Sequence, residues 1–450
     1  MAEIIILGTG VGGLVTALTL AKDHEITLVD QAHTIGGRLQ ATEVEGFNFD
    51  IGATLLTPFF IDFLNHRLGV EIDVLDITWD IIATKERIPL RIDTSLTSIE
   101  DLFRITGKKW YTTLWSALLF LTHLHEFQTA SIERFLEDIE VDPKLQLFLS
   151  TGAVDAGLPT NQAAAITLKL LEYAHHFKYP VGSTNQIPQR LWQKIQEHGG
   201  QLLLNHKVEK IQPKKKGVEV QTSEGLLEAD YVVSAMGVPH TLNCIKAKSK
   251  QIKRARKLIK QTRPSIQTTH LLYAYEGDAN TSYKGRAPLL NYYPVDTIDE
   301  VNSILVSAMN GQLSVNGCYV HFPALVDKTL VNNGAYPVSF WFVTPPSPSE
   351  ADIQKMRNFV ESEYIHFLPD FKEKARFLGY QSPSSFTPFY NDPGMTANIG
   401  PTIDFPVFEP KLTNRVYMSG ASVEVKFAPS VIQASLSGYK VGKMLKNIIG

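Results

Sequence analysis

A strand, a glycine-rich turn, a helix and a second strand follow one another within the first thirty residues. That order commits the chain to a parallel α/β sheet. Ile4-Ile5-Ile6-Leu7 is an apolar run of strand length, and it leads into Gly8-Thr9-Gly10-Val11-Gly12-Gly13. Leu14, Ala17, Leu18 and Ala21 then recur at helical spacing, and a second strand, Ile26-Thr27-Leu28-Val29, ends at Asp30. A strand–turn–helix–strand unit with this glycine spacing, and an acid about twenty residues on, is a dinucleotide-binding fingerprint. Gly8 permits the tight turn, Gly10 lets the backbone approach a pyrophosphate, and Gly13 lets the helix pack on the strand. Val11 and Gly12 open the helix, whose free N–H groups then face the phosphates. Asp30 is placed to accept from an adenosine ribose.

The residues after Asp30 narrow the cofactor. Gly36-Gly37-Arg38 comes next, then Gly46-Phe47-Asn48-Phe49-Asp50-Ile51-Gly52. Here the chain resembles the flavin-containing amine oxidases and phytoene-desaturase-like oxidoreductases (carotenoid desaturases, carotenoid isomerases, retinol saturases). The resemblance implies FAD, with Arg38 near the pyrophosphate or the flavin and Gly52-Ala53-Thr54 beside the isoalloxazine. It sets the backbone of Val208 against the adenine, and it brings Gly420-Ala421 and the helix start at Val431-Ile432 to the flavin. Amine oxidases usually carry Gly-Asp or Gly-Glu where this chain has Gly420-Ala421, and Gly-Ala is familiar from the desaturase branch. No cysteine stands in that C-terminal turn, so the FAD is expected to be non-covalent. The fold implied is α/β, a Rossmann-type FAD-binding domain with an inserted α+β substrate domain.

Organisation along the chain follows the same scheme. The 450 residues suggest two or three domains. The FAD-binding part is expected to be discontinuous, from residues 1–55, 179–245 and 401–450. Residues 56–178, mostly helical in pattern, and 246–400, with apolar strands near Thr268–Tyr275 and Val338–Val343, are expected to form the substrate domain. A turn at Tyr179-Pro180-Val181-Gly182-Ser183 precedes a predicted helix from Ile187 to His198 that stops at Gly199-Gly200. Lys214-Lys215-Lys216-Gly217 reads as a solvated hairpin turn. Ala434, Gly438 and Gly442 share one face of the last helix and allow close packing or close cofactor approach.

Lys and Arg number 43 against 46 Asp and Glu, which gives no global charge for nucleic acid. Two cysteines without a CxxC fit a reducing compartment with neither disulfides nor a zinc site. A strand beginning at Ile4 leads us to expect no signal or transit segment, and 115–121 is too short to span a bilayer. The expected location is cytoplasmic. Nine Lys and Arg without an acid between residues 246 and 263, over Ile252, Ala255 and Ile259, predict a basic amphipathic helix. Such a helix is either a solvated surface or a peripheral membrane contact. Nothing in the sequence bears on the oligomeric state.

A single dinucleotide fingerprint leaves no second loop for a nicotinamide. Electrons are therefore expected to pass from a small, largely apolar substrate through the flavin to O2 or a quinone, or to return to the substrate in an isomerisation. Amine oxidation to an imine and hydrogen peroxide is the alternative. A distant one is a GDP-dissociation-inhibitor-like binder of lipidated partners. No Ser-His-Asp, paired-carboxylate or metal-ligand motif is present. His175 and His176 are candidate bases. Tyr292, Tyr293, Phe340, Trp341 and Phe342 are candidates for the substrate pocket, alternation along a strand sending half of them elsewhere.

Overall fold

The computed structural model describes residues 1–54, 56–91, 96–107, 130–138, 142–163, 177–261, 267–385, 408–424 and 430–450. His175, His176 and the apolar stretch 115–121 lie outside them. Five parallel strands form one sheet, in the order Val416–Met418, Tyr231–Ser234, Glu3–Leu7, Glu25–Val29 and Gln201–Leu203. Segments from both ends and the middle of the chain thus meet in one sheet. The chain turns to opposite sides of Glu3–Leu7, first to Glu25–Val29 and later to Tyr231–Ser234, which makes a topological switch point.

Helix Val11–Leu20 is buried along its whole length, packed against the C-terminal helix Val431–Ile449 and helix Gln186–Glu197. The small-residue face of the C-terminal helix serves this packing. A Cβ at Gly438 would stand 2.3 Å from the Gly12 carbonyl oxygen, and one at Gly442 would stand 2.7 Å from the Thr19 side chain. Beside the sheet, Val208–Pro213, Val218–Thr222 and Gly225–Ala229 form an antiparallel meander. Lys214–Lys216 are exposed in its first turn, closed by Lys214 N–H donating to Gly217 O at 3.0 Å.

The second sheet has seven strands, in the order Ala375–Gln381, Gln267–Tyr275, Tyr336–Thr344, Cys318–His321, Leu289–Tyr292, Trp79–Ile82 and Leu90–Arg91. Its register aligns His270, Trp341, Tyr319, Asn291 and Ile81 in one cross-strand row. Residues one step along each strand point the other way. Tyr273, Phe340 and Phe342 are at most 1% exposed in an aromatic core, with Phe340 packed 4.7 Å from Tyr364 and Phe342 5.8 Å from Phe359.

Among the described residues, segment 56–178 carries the helices Pro58–Asp62, Leu96–Thr106, Ile132–Asp138, Pro143–Ser150 and Gly152–Ala156, and it also contributes the short strands Val74–Asp76, Trp79–Ile82 and Leu90–Arg91. Strands this short fall below the window in which a period-two pattern stands out. Two expected boundaries need correction. The division at 55 falls early, since Leu56, Phe60, Leu64, Val70 and Ile72 share a core cluster with Ile4 and Leu14. The division at 245 also falls early. The basic helix Lys250–Ile259 buries Ile252 and Ala255 against Ile5, Leu7 and Val29, on the parallel-sheet side. Among the described residues no helix is long and apolar enough to cross a membrane, and Cys244 and Cys318 are free and buried.

Candidate functional site

A cavity of about 560 Å³ runs from the parallel sheet to the seven-stranded one. Gly8, Asp30, Ala235 and Ser419 line it, and each is the residue that follows the end of a parallel strand. A crevice at the carboxyl ends of such strands, beside a switch point, is where this architecture holds ligands.

The glycine loop is shaped for a ligand rather than for packing alone. A Cβ on Gly13 would meet Gly8 O at 2.1 Å, and one on Gly12 would meet Gly420 Cα at 3.0 Å. A Cβ on Gly10 would meet nothing within 4 Å, so the space there belongs to the cavity. Gly10 is also the N-cap of helix Val11–Leu20, with no side-chain cap and no acid in the first turn. Uncapped N–H groups beside open space form an anion site. Gly36 and Gly37 take φ of +115° and +57°, and Gly36 N–H donates to Thr9 O at 3.0 Å. Arg38 lines the cavity next to them, and Gly52 has no room for a side chain, since its Cβ would fall 1.5 Å from Arg38 O.

Asp30 ties the loop to the second strand. Its Oδ2 accepts from Thr9 N at 2.7 Å and Thr9 Oγ1 at 2.6 Å, and its Oδ1 accepts from Ala32 N at 3.0 Å. A carboxylate offers about four acceptor positions, so one remains for a ribose hydroxyl. Val208, Gly420, Ala421, Val431, Ile432, Ala53 and Thr54 also line the cavity. The turn Met236–His240 does so too, and sequence reasoning left it out. Its signal was available in Gly237-Val238-Pro239 just after the strand Tyr231–Ser234: Gly237 takes φ of +86° and caps a helix with Pro239 in its first turn.

Asp50, in the second glycine-flanked motif, is 2% exposed and organises the passage between the two sheets. Its Oδ2 accepts from Tyr179 Oη at 2.5 Å. Its Oδ1 accepts from Ser183 Oγ at 2.6 Å, Thr184 Oγ1 at 2.8 Å and Thr184 N at 3.0 Å. These bonds hold Ser183 at φ of +136°, a backbone region that favours glycine. A second buried carboxylate, Asp327, takes the N–H of Gly182 at 2.6 Å. Burial, reinforced by Asp50, holds the Tyr179 phenol well above its ordinary range. Burial lowers the His321 imidazole, whose Nε2 lies 3.6 Å from Asp50 Oδ2, from 6.5 to about 4. His321 is therefore neutral near pH 7.

Where the cavity meets the seven-stranded sheet it is lined by Trp79, Phe177, Tyr293, Tyr319 and Trp341, with Asn291, Thr268, Val154 and Val343 among them. Tyr319 Oη and Thr54 Oγ1 are 2.8 Å apart, which joins the two sides of the cavity. Trp341 stacks flat on His270, ring centroids 3.8 Å apart, and meets Tyr319 edge-on at 5.4 Å. Of the five aromatic candidates, Tyr293 and Trp341 line the cavity; Tyr292, Phe340 and Phe342 do not. Strand parity turns the latter three into the opposite core, where Tyr292 Oη donates to Glu363 and accepts from Arg87 Nε at 2.9 Å. The carboxylate, guanidinium and imidazole groups on the described lining (Asp30, Arg38, His206, His240) lie toward the parallel sheet. Among the described lining residues, the part at the seven-stranded sheet carries no carboxylate, ammonium, guanidinium or imidazole.

Comparison with known proteins agrees with this architecture. The family model for flavin containing amine oxidoreductase matches residues 11–261, more than half of the chain. The chain is 26% identical over 329 residues to the 1-hydroxycarotenoid 3,4-desaturase of Flavobacterium sp. (strain P99-3), covering 61% of this chain and 67% of that one. It is 21% identical over 472 residues to the phytoene desaturase (neurosporene-forming) of Cereibacter sphaeroides, covering 96% and 86%. The solved structure of an oxidoreductase from Methanosarcina mazei matches with a TM-score of 0.70 at 17% identity, covering 98% of this chain and all of that one, a likeness of fold. The chain belongs to the flavin-containing amine oxidoreductase family and is a flavin-dependent oxidoreductase.

Proposed function

We propose that the protein is an FAD-dependent dehydrogenase of the desaturase type, acting on a neutral and largely apolar small molecule. The observation that carries this reading is the aromatic, uncharged lining at the substrate end, set against charged groups confined to the nucleotide end. Burying an unpaired ionic substrate against such a wall costs several kcal/mol, on the order of the penalty for a desolvated charge. When bound, FAD would supply the hydride acceptor, with O2 or a quinone as the final electron acceptor.

The chain's own residues bind, orient and exclude water. Gly10 and the N–H groups of Val11 and Gly12 are placed for the pyrophosphate, and Asp30 for the ribose. Val208 and the Met236–His240 turn are placed for the adenine end. The N-terminus of helix Val431–Ile449 offers N–H groups and a positive dipole end, which favour negative charge on a reduced ring. Tyr319 and Trp341 form a wall across which an apolar chain can lie, and the Asp50 knot keeps Gly52–Thr54 in register with that wall.

Amine oxidation is the second reading. It is favoured by the same rings, since aromatic faces attract an ammonium by about 0.5–2 kcal/mol. The absorption spectrum of the purified protein, before and after acid precipitation, tests the cofactor assignment. Twin flavin bands that move wholly to the supernatant are expected. Anaerobic bleaching by polyenes and not by alkylamines is expected next, and bleaching by amines alone would overturn the desaturase reading. A protein that stays colourless with added FAD would favour the lipid-binding, non-enzymatic reading.

A further inference from the structure

We propose that His206 is a second acceptor for the adenosine ribose of the dinucleotide, taking through Nε2 the hydroxyl for which Asp30 has no position. The inference rests on the reading of the parallel-sheet crevice as the nucleotide site, and it adds a residue to that site. The ribose presents two vicinal hydroxyls, and each needs an acceptor once water is excluded. Asp30 is largely engaged within the protein. Its Oδ2 accepts twice from Thr9, from N at 2.7 Å and from Oγ1 at 2.6 Å, and its Oδ1 accepts from Ala32 N at 3.0 Å. Of about four acceptor positions one is left, enough for one hydroxyl. The Thr9 side chain creates the shortage, since glycine or alanine there would leave the carboxylate a second position.

His206 stands beside that carboxylate. Asp30 N–H donates to Leu203 O at 2.9 Å, and His206 N–H donates to Asp30 O at 2.8 Å. The pairing of Glu25–Val29 with Gln201–Leu203 thus runs on past both strand ends and sets the two residues next to each other. Both line the cavity. The imidazole is oriented from its far edge. Its Nδ1 lies 2.7 Å from Leu204 O, and a carbonyl oxygen only accepts, so Nδ1 carries the proton. In the neutral ring the lone pair is then on Nε2, at the opposite edge. Nε2 has no partner among the described residues and is not sealed off, in a residue that is only half-buried. An open acceptor of fixed tautomer, beside a carboxylate one position short, matches a hydroxyl donor.

The test uses the intact chain freed of flavin and four nucleotides, with binding read by calorimetry. They are ADP, its two monodeoxy analogues, each lacking one ribose hydroxyl, and inosine diphosphate, which lacks the amino group of the base. Loss of either hydroxyl is expected to weaken binding by the wild-type protein about fivefold or more, the worth of one hydrogen bond. His206→Phe keeps a ring and removes the acceptor. In that variant ADP is expected to bind about fivefold more weakly, and one of the two deoxy penalties is expected to disappear while the other stays. The inosine penalty is expected to be the same in both proteins. A wild-type protein indifferent to one of the hydroxyls overturns the inference whether or not the variant folds. So do two deoxy penalties that both survive His206→Phe, a variant that binds ADP like wild type, loss of the inosine penalty in place of a deoxy one, or no binding of ADP at all. Failure of the flavin reading is separate: the protein would then take up no FAD, and the four nucleotides would still rank as expected.

Discussion

The two ends of the cavity are built on different principles. At the parallel-sheet end, proposed above for the nucleotide, the lining is mostly backbone: glycines that leave space, an uncapped helix N-terminus at Gly10, and strand ends that deliver residues such as Gly8 and Ala235 to one crevice. At the substrate end they come from side chains on alternate positions of a mostly antiparallel sheet. Backbone sites demand particular residues at particular spacings, whereas a side-chain wall needs only size and polarity. The first kind writes a motif into the sequence; the second writes almost none.

The sharpest way to break this contrast is to add one methyl group at two neighbouring glycines. Gly13→Ala forces a Cβ to within 2.1 Å of a backbone oxygen. It is expected to cost about 3 kcal/mol of stability, in the upper range for overpacking, read by urea unfolding. Gly10→Ala meets nothing in the protein. It should leave stability unchanged while weakening FAD binding by about tenfold, the equivalent of about 1.4 kcal/mol. Equal effects of the two changes would mean that the loop is packed as an ordinary turn.

The knot between the two ends comes next. Asp50→Ala removes the common acceptor of Tyr179, Ser183 and Thr184 and leaves their donors buried. A loss of about 3 kcal/mol is expected, with weaker flavin binding because Gly52–Thr54 lose their anchor. Retained stability and flavin affinity would show the two ends to be independent.

Legibility divides along the same line. Gly36 and Gly37 stand out in the sequence because few residue types tolerate their positive φ, Gly10 and Asp30 because of their spacing from the first strand, and the fold class follows from their order. Trp79 and Asn291 do not stand out. They sit on strands of four residues, and their neighbours there resemble any buried run. Tyr292 and Tyr293 show the limit most clearly. The pair is chemically uniform in sequence, yet one faces Glu363 in the core and the other the cavity. Parity can be assigned only once the register with Cys318–His321 is known, and that register is a tertiary fact. The basic stretch near 250 was legible as a helix, but not for where its apolar stripe would go.

A change of pH probes the side-chain end from within. His321 titrates at about 4 in the folded protein against 6.5 unfolded, because burial opposes its charged form while Asp50 favours it. Between those values the unfolded chain binds the extra proton, so stability is fully present above pH 6.5 and falls as the pH drops toward 4. From pH 7 to pH 5 this one group should remove about 2 kcal/mol. His270, stacked on Trp341 and also lowered by burial, acts in the same direction. His321→Gln should flatten the pH dependence by that amount relative to wild type. An unchanged slope would mean that His321 takes up its proton alike in the folded and the unfolded chain.

Parity itself can be tested by a pair of substitutions one residue apart. Phe342→Leu shrinks a ring that is 1% exposed in the opposite core. It is expected to cost about 1 kcal/mol and to leave ligand binding untouched. Trp341→Phe alters the cavity wall and should change ligand affinity by about fivefold, the equivalent of about 1 kcal/mol, with stability close to wild type. Swapped outcomes would turn the sheet over.

The smallest effect is expected on the basic helix Lys250–Ile259. Its apolar stripe is already occupied: Ile252 and Ala255 are buried against the parallel-sheet core, and Lys253 and Lys257 are exposed on the other side. A helix whose apolar face is buried in its own protein has none left to insert into a bilayer, so any attraction to an anionic surface is electrostatic alone. Lys253→Glu combined with Lys257→Glu should change stability by no more than about 0.5 kcal/mol, as for surface positions without special partners. Co-sedimentation with phosphatidylglycerol vesicles, if observed at low salt, should vanish in the variant and, for the wild type, near 0.5 M salt. Vesicle binding that persists at high salt would require the helix to leave its groove, and Ile252 would then be exposed to solvent quenchers or lipid-borne probes in the bound state.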